Sequence, residues 1–383
     1  MNGMISRDRG LGPNTHLIGQ AGSRQRLDTP ALVLDLPAFA RNLTHLAEGA
    51  ARRGLALRPH AKTHKCVEIA KRQVAAGAVG VSCTILAEAE AMVLGGIGGV
   101  LITSPIVTPA HIGRLIALCR RAATGELMVV ADDPENVAAL SRAAAELDHP
   151  LGVLVDFSAG YHRTGTATEE DAVALAKTIA GLPHLTLRGL QAYAGNIQHI
   201  EDRAQRAARA AALRERVGGI VAAAAREGLA LPIVTGAGTG THDLDGAPFT
   251  ELQAGSYLFG DAQYGPVLQN GVATPPFDVA LFAQAAVVSV NAADYVTLDA
   301  GVKSLATDGP LPLVARGAAP GGTYAFFGDE HGKLFFKGGR PALGAKVELV
   351  TPHCDPTVNL HDWLHVVEGE TLVAIWPIDA RGH

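Results

Sequence analysis

The stretch Leu57-Arg58-Pro59-His60-Ala61-Lys62-Thr63-His64-Lys65 opens a long alternation of apolar strands and Ala-rich helices. It follows a segment of helical spacing, Leu36 to Arg53, that ends at Gly54. Read as a strand over Leu55–Lys62, it places His60, Lys62 and His64 on one face with Arg58 in line behind them, because side chains alternate along a strand. Polar groups on an inward face cost roughly several kcal/mol apiece unless a partner satisfies them, and a bound anionic ligand would satisfy all four. A strand that stops at Pro59 and gives way to a solvated loop fits the same residues.

Working outward, an apolar strand at Ala31–Asp35 precedes the stretch, and seven more strands follow it. They are Val79–Cys83, Gly99–Thr103, Leu127–Ala131, Leu151–Phe157, Leu185–Tyr193, Leu231–Thr235 and Glu251–Phe259. Helical segments lie between at Lys65–Ala76, Leu86–Gly95, Pro109–Ala123, Pro134–Leu147, Glu169–Gly181 and Asp202–Glu227, with a shorter link at His242–Pro248. Strict alternation implies a parallel sheet with right-handed crossovers. Eight repeats predict an α/β fold closed as a (β/α)8 barrel, and the absence of an early GxGxxG weighs against a doubly wound sheet.

A barrel keeps its chemistry at the carboxyl ends of its strands, and the polar residues collect there. Lys62 and His64 end the first barrel strand, and Thr103 and Ser104 the third. Tyr161, His162 and Arg163 follow the fifth, while Gln191, Tyr193, Asn196 and His199 end the sixth. The seventh runs into Gly236-Ala237-Gly238-Thr239-Gly240-Thr241, and the eighth carries Gln253-Ala254-Gly255-Ser256-Tyr257. A glycine loop ahead of a short helix suits a phosphate, although a plain flexible turn has the same composition. With a lysine at the end of the first strand, it points to a phosphate-bearing cofactor held covalently, pyridoxal phosphate above all.

The alternation stops after Phe259, and the remainder reads as β-rich, with strands at Val279–Val290, Tyr295–Asp299, Tyr324–Phe327, Lys333–Phe336, Lys346–Thr351 and Leu372–Ile375. The expected organisation is a tail over 1–25, a cofactor-binding barrel over 26–270 and a mainly β domain over 271–383. Within the last, Pro352-His353-Cys354-Asp355-Pro356-Thr357 places an imidazole and a carboxylate two apart. In an extended segment they share a face and suit a divalent ion such as Mn²⁺, Co²⁺, Mg²⁺ or Zn²⁺. A turn with a hydrogen-bonded histidine accounts for the same residues.

Composition narrows the class. Of 383 residues 48% are hydrophobic and 18% charged, with a net charge of −5, which describes a compact globular chain with a generous core. No basic run offers the counterion-releasing surface that nucleic acid needs. The four cysteines, Cys66, Cys83, Cys119 and Cys354, form no CxxC, so a reducing cytoplasm is expected. Neither a signal peptide nor a membrane span is expected, since no segment approaches the roughly 18 uninterrupted apolar residues a span needs.

The runs Arg58–Lys65, Gly236–Gly240 and Pro352–Thr357, in this order and spacing, resemble the metal-activated D-threonine aldolases. These belong to a wider group of alanine-racemase-like barrels that includes D-serine dehydratase. The resemblance covers nearly all of the chain after the tail. It implies fold-type III pyridoxal phosphate chemistry, a homodimer, and a divalent cation beside the cofactor, with Mn²⁺ favoured. Residue by residue, Lys62 resembles the Schiff-base lysine, Arg163 the arginine near the pyridine nitrogen, and Tyr193 a cofactor contact. Gly238, Thr239, Gly255, Ser256 and Tyr257 resemble the phosphate cradle, His353 and Asp355 the metal ligands, and His199 the histidine that assists deprotonation of the substrate hydroxyl.

The implied reaction is retro-aldol cleavage of a small D-3-hydroxy amino acid, D-threonine or D-allo-threonine, to glycine and an aldehyde. The group's dehydratases look like His-x-Cys at the metal, whereas this chain has His353-x-Asp355. That disfavours dehydration of D-serine or 3-hydroxyaspartate, while a 3-hydroxy-D-aspartate aldolase would keep all the chemistry and change only the side-chain pocket. An amino-acid racemase has no use for the metal pair, and non-catalytic pyridoxal phosphate carriers lack the second domain.

Overall fold

A computed structural model describes residues 10, 12–122 and 127–382. The expected tail falls outside the described residues at 1–9 and 11, as does the last residue of the helix expected over Pro109–Ala123. The chain forms two compact units. Arg41–Asp278 makes one, and Val279–Gly382 with the chain up to Ala40 makes the other. After β1 (Ala31–Asp35) the chain passes from one unit to the other within α1 (Leu36–Arg52), and it returns after Asp278.

In the larger unit eight strands follow in turn: β2 (Ala56–Leu57), β3 (Ser82–Cys83), β4 (Val100–Ile102), β5 (Leu127–Ala131), β6 (Leu151–Asp156), β7 (Leu185–Ala192), β8 (Ile233–Gly236) and β9 (Glu251–Leu252). All neighbours pair in parallel, in the order β2-β9-β8-β7-β6-β5-β4-β3. A parallel bridge between His60 and Ser82 joins the two ends, closing the expected (β/α)8 barrel. Alternation along the strands sorts the core into two layers. Leu101, Met128, Val130, Leu154 and Ile233 pack together, while their neighbours Val100, Val129, Ala131, Val153 and Val155 pack in the layer with the helices.

The crossover helices are α2 (Val67–Ala75), α3 (Leu86–Leu94), α4 (Pro109–Cys119), α5 (Pro134–Ala144), α6 (Glu169–Gly181) and α7 (Arg203–Arg226). Four start where the sequence supplies a cap: Thr108, Asp133, Thr168 and Asp202 each accept from the backbone N–H three residues on. Each cap is worth about 1 kcal/mol. Between β8 and β9 the chain makes only a 3₁₀ turn, Thr239–Thr241, and α8 (Tyr264–Gln269) follows the last strand.

The first and last barrel strands are far shorter than the expected Leu55–Lys62 and Glu251–Phe259. Pro59 has no N–H for a ladder, and the chain coils into 3₁₀ turns at Ala61–Thr63 and Ser256–Leu258. His60, Lys62 and His64 therefore do not form a strand face.

The second unit is built on β10 (Leu281–Ser289), β11 (Tyr295–Leu298), β12 (Leu313–Arg316), β13 (Thr323–Phe326), β14 (Gly332–Phe335), β15 (Lys346–Val350), α9 (Cys354–Asn359), β16 (Trp363–Glu368) and β17 (Thr371–Pro377). Its sheet runs β13-β14-β11-β10-β1-β16-β17, with β15 also pairing β10 and β12. The division differs from the expected boundary at 270. β1 inserts between β10 and β16, and Ala31–Leu34 are buried on both faces. Residues assigned to a tail also belong here. The Arg24 guanidinium is buried and grips Glu348 of β15 through two bonds, of 2.7 and 2.8 Å. No helix among the described residues is long and apolar enough to cross a membrane.

Candidate active site

The carboxyl ends of seven barrel strands, all but β5, are tied by one hydrogen-bonded network. Thr103, after β4, donates its hydroxyl to the Cys83 carbonyl, so its oxygen accepts from His60 Nε2 at 3.2 Å. That leaves His60 Nδ1 as an acceptor facing the Lys62 N–H. Gln191 at the end of β7 donates to the Thr103 carbonyl (3.0 Å) and to Asp156 of β6 (2.9 Å). Gln253, just after β9, donates to Gln191 (3.2 Å) and to Thr235 of β8 (3.0 Å). The network fixes a polar floor under the mouth where the sequence placed its candidates.

Two lysines compete in the opening stretch, and their surroundings separate them. Lys65 is buried in an ion pair with Glu88 of α3 at 3.3 Å, and Glu88 also holds the Thr84 N–H at 2.7 Å. A buried cation with a buried partner is a structural element, because removing either leaves the other charge stranded. Lys62 is half-buried beside the floor histidine. The expectation that one anionic ligand would satisfy all four polar residues is corrected by the same geometry. Arg58 is buried and paired with Glu251 of β9 through two bonds of 2.7 and 2.8 Å, and buried His64 accepts from the Cys66 N–H at 3.1 Å.

Arg163 and Tyr193 line one cleft with Asp156, His162 and Gln191. Burial pushes the Asp156 carboxyl up to about 6, against hydrogen bonds from Gln191 and Thr164 (2.7 Å) that favour the anion. A raised carboxyl pKa stabilises the fold below about pH 4, and that contribution is lost as pH rises through about 6. Urea unfolding at pH 4 and pH 7 should therefore show wild type losing about 2 kcal/mol relative to Asp156→Asn. An identical pH dependence for the two proteins would contradict the assignment.

The glycine loop is shaped by packing as well as by any ligand. A Cβ at Gly240 would lie 2.0 Å from the Gln198 carbonyl oxygen, and one at Gly238 2.5 Å from Gln198 Oε1. The Gly240 N–H donates to that same side chain at 3.0 Å, and the Gly238 N–H faces Thr241 Oγ1 at 3.3 Å. Thr239 Oγ1 accepts from the Tyr257 N–H at 3.0 Å, tying the loops after β8 and β9 into one piece. A Cβ at Gly255 would meet Thr63 Oγ1 at 2.3 Å, so this piece also abuts the Lys62 turn. The Tyr257 ring is buried against Phe277 and Gln73, which leaves its backbone as the part near the loop. Lys62 and the glycine loop thus share one barrel mouth, an arrangement open to a lysine-linked phosphate cofactor. His199 lies on the exposed surface with its ring 4.5 Å from that of Tyr264.

In the second unit His353 is the extended N-cap of α9 and Asp355 sits in that helix's first turn. The expected extended segment is thus replaced by a strand-to-helix junction. His353 Nδ1 lies 2.9 Å from Asp308 Oδ2. No three His, Cys, Asp or Glu side chains among the described residues converge as a metal cage. The pair is at most a two-ligand platform, and an imidazole with a carboxylate suits an ion of intermediate hardness. Glu88, Gln198, Glu251 and Asp308 carried no signal in the sequence. Each acts through a partner distant along the chain.

The profile of the alanine racemase N-terminal domain matches residues 34–263, and that of a serine dehydratase domain matches 280–367. The chain is 42% identical to the D-threonine aldolase of an Arthrobacter species over 93% of both chains. The chain belongs to the D-threonine aldolase family. A 3-hydroxy-D-aspartate aldolase of Paracoccus denitrificans (strain Pd 1222) is 38% identical over 93% of this chain and 92% of its own. The crystal structure of D-threonine aldolase from Filomicrobium marinum superposes with a TM-score of 0.88 at 40% identity, covering 94% of this chain and 96% of that one. The protein is accordingly a lyase of this family, with an alanine-racemase-like barrel and a mainly β second unit.

Proposed function

We propose that the protein is a pyridoxal phosphate- and divalent cation-dependent D-threonine aldolase that cleaves D-threonine or D-allo-threonine to glycine and acetaldehyde. The observation that supports it most is identity of 42% to a D-threonine aldolase across both chains, in a chain whose Lys62 stands beside the floor network while Lys65 is held by Glu88. Lys62 would hold the cofactor, with Arg163 and Tyr193 against its ring and Gly238, Thr239, Gly255, Ser256 and Tyr257 around its phosphate. When bound, pyridoxal phosphate supplies an electron sink for the carbanion left at Cα.

His353 and Asp355 would hold the cation, Mn²⁺ first, whose Lewis acidity makes the substrate hydroxyl easier to deprotonate. His199 is the group assigned to take that proton. The floor of Gln191, Gln253 and Asp156 keeps the mouth rigid and holds His60 with its proton on Nε2. We place the enzyme in solution in the cytoplasm as a homodimer.

A 3-hydroxy-D-aspartate aldolase is the second reading, favoured by the 38% identity to the Paracoccus enzyme. The deciding experiment compares kcat/KM for glycine release from D-threonine and from 3-hydroxy-D-aspartate under Mn²⁺. A higher value for D-threonine supports the first reading and the reverse order the second; glycine from neither substrate overturns both.

A further inference from the structure

The segment 304–309 in the second unit is built against α9 and its flanking residues in three ways. Thr357, fully buried, donates its hydroxyl to the His353 carbonyl at 2.8 Å and accepts from the Ala306 N–H at 3.1 Å. One hydroxyl therefore clamps the α9 N-terminus to the segment that carries Asp308. His361, just after α9, bonds the Ser304 carbonyl through Nε2 at 2.9 Å. Gly309 lies so close that a Cβ there would sit 3.3 Å from the Pro352 carbonyl oxygen and 3.5 Å from His353 Cβ. These contacts deliver the Asp308 carboxylate to His353 Nδ1 at 2.9 Å.

We propose that Asp308 is a positioning residue for the metal site, holding His353 in the tautomer and ring orientation that present Nε2 to a divalent cation. The inference rests on the reading that His353 and Asp355 hold that cation, and assigns a residue outside that pair. An ionised carboxylate only accepts, so the shared proton belongs to Nδ1 and the Nε2 lone pair is left for a metal. A carboxylate behind a ligating imidazole also raises its basicity as a ligand. Asp308 itself is 57% exposed and His353 22%, so the aspartate stands on the solvent side of the imidazole and its replacement leaves no buried charge stranded.

The test uses the full chain loaded with pyridoxal phosphate, stripped with EDTA and titrated calorimetrically with Mn²⁺. Asp308→Ala should weaken Mn²⁺ binding about 10- to 100-fold, the loss that removal of an outer partner brings. Asp308→Asn, whose amide oxygen still accepts from Nδ1–H, should recover most of that loss. The metal-free melting temperature should stay within about 2 °C of wild type in both, a change a merely structural role would exceed. Binding by Asp308→Ala within twofold of wild type overturns the proposal. So does complete loss equal to that of His353→Ala, which would make Asp308 a direct ligand. A wild-type chain with no saturable Mn²⁺ site overturns the metal reading itself, and this inference with it.

Discussion

Lys62→Ala should abolish covalent attachment of pyridoxal phosphate and lower turnover at least about 10⁴-fold, because no neighbouring lysine can take over. Lys65 is three residues away, but its ammonium is buried against Glu88 at 3.3 Å on a backbone held at φ 51°. Moving it to the mouth would strand the Glu88 carboxylate, a loss of about 3–5 kcal/mol. The two substitutions should therefore fail differently. Lys62→Ala should fold normally, melt with wild type and show no borohydride-fixed cofactor by mass spectrometry. Lys65→Ala should melt several degrees lower and still fix the cofactor wherever it remains folded. A borohydride-reduced adduct in Lys62→Ala would show that the lysine has been wrongly chosen.

Asp355→Ala should leave the yellow, lysine-linked cofactor intact and remove the dependence on cation. With a single imidazole remaining, Mn²⁺ affinity should fall further than the roughly 100-fold that loss of an outer partner can bring. Activity at saturating substrate should fall about 10³-fold, since the cation's contribution to transition-state charge stabilisation is worth several kcal/mol. Asp355→Cys is the more informative neighbour. A thiolate at this position turns the pair into His-x-Cys and should shift preference from Mn²⁺ toward Zn²⁺. Cation-dependent turnover that survives Asp355→Ala unchanged would remove His353 and Asp355 from the account.

The barrel was legible because its strands are buried on both faces and read as uninterrupted apolar runs; Leu127–Ala131 was predicted with the bounds it has. The first and last barrel strands were recognised with bounds that ran too far, since Pro59 ends the ladder of one and the chain coils into 3₁₀ turns at Ala61–Thr63 and Ser256–Leu258. β1 was recognised as a strand but given to the wrong unit, because nothing in Ala31–Asp35 says which sheet it will enter. β16 went unseen for a related reason. His361, Asp362 and His365 make its neighbourhood look polar, yet His365 is buried with its ring bonded to Asn14 and the Leu32 carbonyl.

At the site, residue types and chain order pointed to the mouth, and the structure brought Thr103, Gln191 and Gln253 together there. What separates Lys62 from Lys65 is a partner on another helix, which spacing cannot reveal. The glycine loop carried a mixed message: Gly238 and Gly240 are needed for Gln198 to pack whether or not a phosphate is held. The carboxylate behind His353 was invisible because Asp308 lies in a separate loop whose only link to α9 is tertiary.

Whether this chain cleaves the Cα–Cβ bond is decided by product analysis of the EDTA-stripped, pyridoxal phosphate-loaded protein with D-threonine, with and without Mn²⁺. Glycine and acetaldehyde should form in equal amounts, and only when the cation is restored. Ammonia and 2-oxobutanoate instead would contradict the aldolase reading, showing that an aspartate beside His353 does not commit this fold to carbon–carbon cleavage.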